Sequence, residues 1–183
     1  MQLNLKNHKA NIFEKNSFDS SKTSRVFLPG AGMDHRIVSM FSLESLYDKY
    51  NILGIDLPGH GYTSGPIVSS IRDHTNFCID VFNETDIKNP IVIGHSWGGL
   101  VALDLSTEFQ NKMTICMNIA YPFLVGDMLL DHAKGNLDQA VEFLTKYGVY
   151  KFPKTKIKTK GFGTMGSGSV SYTHLTLPTM LWV

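Results

Sequence analysis

Cysteine is scarce in this 183-residue chain: Cys78 and Cys116 are the only two. They stand far apart with neither metal-ligand nor redox spacing, which excludes a disulfide framework and a zinc knuckle. Both read as small core residues in a reducing compartment. A dominant charge is missing too. Lys and Arg number 17 against 16 Asp and Glu, a formal net charge of +1. No bulk field therefore draws the chain to nucleic acid or to an anionic membrane. No apolar run approaches transmembrane length, and the polar start Met1–Lys9 lacks the apolar stretch of a signal peptide. A cytoplasmic protein is expected. No metal or cofactor motif occurs, so neither is expected; the oligomeric state has no signal.

What the chain does contain is a regular alternation of apolar runs and helical patterns. Ala10–Lys15 is a weakly marked edge strand, and Arg25–Leu28 is a buried strand that runs into Pro29-Gly30-Ala31-Gly32. Asp34 is placed to cap an amphipathic helix over Arg36–Tyr50. A strand over Asn51–Asp56 ends in the turn-dense Leu57–Ser64, and a helix follows over Ser70–Glu84. Ile91–Ile93 is a short strand, the stretch from Ser96 to about Phe109 is helical, and Met113–Ala120 is a further strand. Such alternation predicts an α/β fold, a parallel sheet with helices on both faces. Ligands of such sheets bind beyond the carboxyl ends of the strands, the edge that the three loops share.

The most informative stretch is Gly94-His95-Ser96-Trp97-Gly98, a G-x-S-x-G between the apolar strand and a helix opened by Gly99. A strained strand-to-helix turn of this type holds one serine hydroxyl out at the top of a sheet. Its flanking glycines sit where backbone crowds out a Cβ. The helix N-terminus behind Ser96 offers free N–H groups to a forming oxyanion.

Three stretches together resemble the α/β-hydrolase superfamily: the strand-then-P-G-A-G loop, D-L-P-G-H-G-Y-T-S-G from Asp56, and G-H-S-W-G-G at the elbow. The resemblance covers about Arg25 to Tyr121, and more loosely the helical segment beyond. It implies that Ser96 attacks an acyl carbonyl, with an oxyanion hole built from the N–H groups of Trp97 and Ala31. Family members usually begin the first loop with His-Gly; here Pro29 stands in the histidine position, and the donation is by backbone. Members that open epoxides or remove halide carry Asp at the elbow. Ser96 therefore points to ester, thioester, lactone or carbon–carbon acyl hydrolysis of a small-molecule substrate through an acyl-enzyme. A non-catalytic fold member and an acyltransferase or perhydrolase using the same serine are the alternatives.

The resemblance also implies a chain order of Ser, acid, His. After Ser96 the sequence has His132 and His174. His132 falls in the first of two short helices, Asp127–Lys134 and Leu137–Tyr147, and reads as packed or solvated. Asp127 is a weak candidate for the acid. His174 lies in Val170–Thr179, which resembles the translation of a transposase adapter from sequencing libraries; the natural frame is then expected to stop near Ser169. The catalytic acid and histidine are accordingly expected beyond this chain. The expected layout is a core over 1–122, a partial helical lid over 123–160, a flexible stub over 161–169 and a non-native tail over 170–183. The basic run Lys151–Lys160 reads as a solvated face. Met33 and His35 follow the oxyanion loop and are candidates to face substrate, although packing and capping account for them equally. Asp56 is expected to stabilise its own turn.

Overall fold

Three strands are apolar along most of their length, and they occupy the centre of the sheet. The computed structural model describes residues 1–41, 44–119, 125–136, 138–140 and 142–143. In it β3 (Thr23–Leu28), β4 (Tyr50–Ile55) and β5 (Ile91–His95) pair side by side. Successive side chains of a strand point to opposite faces. Val26, Leu28, Leu53, Ile55 and Val92 accordingly join one buried cluster, and Phe27, Ile52, Ile91 and Ile93 another. Strands apolar on both faces need cover on both. On the first face α2 (Ile71–Glu84) and α3 (Trp97–Glu108) provide it, through Phe77, Val81, Phe82, Leu100 and Leu105. On the second, Ile37 and Val38 do so, at the join of a short turn of helix (His35–Ile37) and α1 (Val38–Phe41).

The full order is β1-β2-β4-β3-β5-β6, with β1 (Gln2–Asn4), β2 (Lys9–Glu14) and β6 (Met113–Met117) on the flanks. β3 is parallel to both neighbours, β4 and β5. The chain thus leaves β3 to one side and returns to the other. That reversal is a topological switch point at the C-terminal ends of β3 and β5, the place where ligands of such sheets bind. β6 continues the parallel part of the sheet.

Several expectations are corrected. The sheet is mixed, not wholly parallel: β2 runs antiparallel to β4, and β1 antiparallel to β2. A tight turn closed by the Leu5 N–H donating to the His8 carbonyl at 2.8 Å joins β1 to β2, and a connection so short allows only antiparallel pairing. β2 is therefore not the edge strand. The single amphipathic helix expected over Arg36–Tyr50 is broken into the His35–Ile37 turn, α1 and a second turn at Glu44–Leu46, and Tyr50 belongs to β4, paired with Thr23. Cys78 is buried as expected, but Cys116 is exposed on β6, whose side chains have little cover among the described residues.

Other expectations hold. Asp34 caps the His35–Ile37 turn by accepting from the Arg36 N–H, and Ser70 caps α2 by accepting from the Asp73 N–H. Beyond β6 the helix α4 (Asp127–Gly135) ends at Asn136, whose Oδ1 accepts from the Asp138 and Gln139 amides and starts a second helical stretch. That stretch is described at 138–140 and 142–143; the rest of the expected helix to Tyr147, the basic run, the stub and the tail lie outside the described residues. No helix among the described residues is long and apolar enough to cross a membrane. Met113 and Ile115 on β6 are 54% and 37% exposed, so this strand presents apolar side chains at the end of the sheet.

Phe82 joins α2 to the end of α3: it is fully buried, with its ring 5.2 Å from that of Phe109. Phe82→Ala is expected to lower the unfolding free energy by about 3–5 kcal/mol, measured by urea unfolding followed by circular dichroism.

Candidate active site

Ser96 joins β5 directly to α3, with φ 52° and ψ −120°. A non-glycine residue in this region is strained, by about 1–3 kcal/mol, and persists where its surroundings over-determine it. They do so here. The Ser96 N–H donates to the Met117 carbonyl at 2.8 Å, and the Ser96 carbonyl accepts from the Gly99 N–H at 2.8 Å. The turn also needs its glycines. A Cβ on Gly94 would overlap the backbone of Gly98 and Gly99, and one on Gly98 would sit 2.5 Å from the Pro29 carbonyl oxygen and closer still to that of Leu28. These are contacts between backbones, which cannot yield as a flexible side chain can.

The same contacts bring the loop after β3 to the serine. Leu28 pairs with Gly94, so Pro29 and Ser96 leave the sheet side by side. Gly30 is buried against the elbow: a Cβ there would lie 3.2 Å from the Ser96 Cβ. The loop turns back on itself, with the Met33 N–H donating to the Gly30 carbonyl at 3.0 Å and Gly32 at φ 72°. Ala31 packs against the cluster that contains Trp97. Among the described residues, the Ala31 and Trp97 N–H groups have no hydrogen-bond acceptor, and none bonds the half-buried Ser96 hydroxyl. The structure therefore gathers Ser96, Ala31 and Trp97 at the sheet's switch point.

The other two residues proposed to face substrate are engaged elsewhere. Met33 packs against the Phe27, Ile37 and Val38 cluster on the opposite face. His35 donates through Nδ1 to the buried Asp56 carboxylate at 3.0 Å, with its backbone N–H bonding the same group at 2.6 Å. That hydrogen bond holds the imidazole pKa above the ordinary histidine value. His95 meets Asn118 through Nε2 at 3.0 Å, and burial pushes its pKa down. Asp127 sits in the first turn of α4, where a carboxylate complements the helix dipole, and His132 lies near Phe143 on the same segment. Among the described residues no group of three or more His, Cys, Asp or Glu side chains gathers to hold a metal.

Sequence reading missed a row of rings behind the elbow. Trp97, 6% exposed, meets His74 of α2 edge-on at 5.6 Å, and His74 in turn meets His60 at 6.4 Å. His74 donates Nδ1–H to the Ser70 carbonyl and His60 donates Nδ1–H to the Pro58 carbonyl. Burial drives both below the ordinary histidine value of 6.5. The apolar spacing of His74 with Phe77, Cys78 and Val81 along α2 was the available signal.

With this geometry in hand, comparison with known proteins is decisive. A family model described as the α/β hydrolase family matches residues 26–158. The chain belongs to the α/β hydrolase family. Among curated relatives of this hydrolase-fold chain, the dihydrolipoyllysine-residue acetyltransferase component of the acetoin cleaving system of Cupriavidus necator is 32% identical over 89 residues, covering 48% of this chain and 24% of that protein. Epoxide hydrolase 1 of Caenorhabditis elegans is 32% identical over 87 residues, covering 45% and 22%. Solved structures share the fold. Est816, described as an N-acyl homoserine lactone degrading enzyme, has a TM-score of 0.65 at 16% identity, covering 80% of this chain and 56% of that one. A putative lipase from Acinetobacter baumannii has a TM-score of 0.67 at 20% identity, covering 84% and 56%. The α/β hydrolase chain thus spans about half the length of these structures and about a quarter of the curated relatives.

Two outcomes test the geometry of the elbow. Gly98→Ala is expected to cost about 1–3 kcal/mol, read as a drop in melting temperature. His74 is held neutral, so its folded pKa lies below the unfolded value. Its contribution is then present above pH ~6.5 and lost as pH falls through the folded pKa. The stability gap between wild type and His74→Gln is expected to shrink as pH falls below about 6.5, measured by urea midpoints.

Proposed function

We propose that this chain carries the nucleophile of a serine hydrolase acting on a small acyl substrate: an ester, thioester, lactone or carbon–carbon acyl bond. The observation that carries the reading is the strained backbone of Ser96, with the loop after β3 packed against its Cβ. In this reading Ser96 Oγ adds to the acyl carbon, and the carbonyl oxygen becomes an oxyanion between the N–H groups of Trp97 and Ala31. Each such donor contributes about 3 kcal/mol to the transition state. Collapse expels the leaving group and leaves an acyl-serine, which water then hydrolyses. The base that takes the Ser96 proton, and the carboxylate that orients it, are assigned outside the described residues.

Two relatives are named as epoxide hydrolases. Ser96 argues against that chemistry here. A serine that opened an epoxide would be left as an ether, with no carbonyl for water to attack. A second reading, acyl transfer through the same serine, draws support from the relative named as an acetyltransferase component.

A fluorophosphonate probe followed by peptide mass spectrometry tests the reading. Covalent label on Ser96, absent from Ser96→Ala, is the expected outcome, slow in this chain and faster in a longer gene product that supplies the base; a folded longer product that takes no label would favour a non-catalytic member of the family.

A further inference from the structure

Asp56 is fully buried, yet its carboxylate serves more than its own turn. It accepts from the Tyr62 N–H at 2.9 Å within that turn, but also from Asn11 Nδ2 of β2 at 2.8 Å and from both the backbone N–H and Nδ1 of His35. A buried carboxylate is costly unless it is paired and its lone pairs are filled, and these donors fill them. The surroundings are shaped to admit this arrangement. A Cβ on Gly61, at φ 54°, would overlap the Asp56 carboxylate, and one on Gly54 of β4 would sit 3.0 Å from the His35 carbonyl oxygen. The His35 ring stacks on Phe13 at 5.2 Å and tilts against Tyr62 at 5.7 Å.

The consequence concerns the loop between β3 and His35. Its front end is held by the Leu28–Gly94 pair, and its rear end by His35 on Asp56. Residues 29–34, with Ala31 among them, span the gap between these two anchors. We infer that Asp56 and His35 are a positioning pair that clamps the Pro29–Asp34 loop against Ser96, so that the Ala31 N–H keeps its aim. The inference rests on the serine reading for its catalytic meaning, but the clamp itself is measurable without it.

The pair is an imidazole hydrogen-bonded to a buried carboxylate, a contact that raises the His35 pKa. Among the described residues, the titratable groups around it include Asp34 and Arg36 on its own segment, Tyr62 and His60 on the loop after β4, and Glu14, Lys15 and the Met1 amine, which line a cavity beside β2 with His35. The raised His35 pKa makes the clamp strongest at low pH, and it weakens as pH rises through the folded value.

Amide hydrogen exchange of the full chain tests this through the Met33 N–H, which bonds Gly30 inside the loop. His35→Ala is expected to lower Met33 protection by about tenfold or more, with Val92 in β5 unchanged and His35→Gln restoring most of it. Wild-type Met33 protection is expected to fall as pH rises past the His35 titration, and His35→Gln to abolish that slope. Asp56→Asn provides a second variant with the same expected loss at Met33. Equal Met33 protection in wild type and His35→Ala would overturn the inference while leaving the serine reading intact. Loss of protection in His35→Ala, together with a folded longer gene product whose Ser96 takes no fluorophosphonate, would support the clamp and overturn the serine reading alone.

Discussion

The parallel pairing of β3 with β5 is the constraint on which the site depends. It ends at Leu28 and Gly94, so two loops distant in sequence leave the sheet at neighbouring points. Close approach then does the rest. The first turn of α3 lies directly on the Leu28 and Pro29 carbonyls because Gly98 has no side chain, and the loop glycine Gly30 lies on Ser96 for the same reason. A side chain at either position would push the Pro29–Gly32 loop and the serine apart. The strain at Ser96 is tolerated because β6 supplies the Met117 carbonyl and the helix supplies the Gly99 amide, which fix the two peptide units on either side of Ser96.

Around this junction several buried polar groups are matched by partners. Asp56 is surrounded by donors from three segments. Asn51, also fully buried, donates to the Asp19 and Lys22 carbonyls and accepts from the Asp19 N–H, tying the β2–β3 connection to β4. His74 spends its Nδ1–H on the Ser70 carbonyl and stays neutral beside Trp97. The two histidine environments are opposite in sign. The Asp56 carboxylate pushes the His35 pKa up, whereas burial pushes that of His74 down.

Much of this was legible from local pattern. The elbow, the glycine loop after β3, the cap at Asp34 and the limits of α2 and α3 each depend on residues within a few positions of one another. The β1–β2 hairpin was not, because its strands are short and mostly polar, with Leu3 and Leu5 as the faint trace of alternation. The helix expected over Arg36–Tyr50 failed because Tyr50 was claimed by pairing with Thr23, a partner 27 positions away by number. Cys116 looked like a core residue, since its strand is apolar in sequence while its cover is set by neighbours elsewhere.

The amino-acid sequence by itself determined the strand-to-helix elbow: a serine between glycines, after an apolar strand and before a helix, is a local solution that needs no distant partner to be recognised. Tertiary structure alone decided that the Pro29–Gly32 loop lies against that serine, that Asp56 gathers Asn11 and His35, and that His74 backs Trp97. The reason is physical. Strand order and the approach of backbones are set by pairings between segments far apart along the chain, whose energies are shared across the whole sheet and leave no mark in any one stretch.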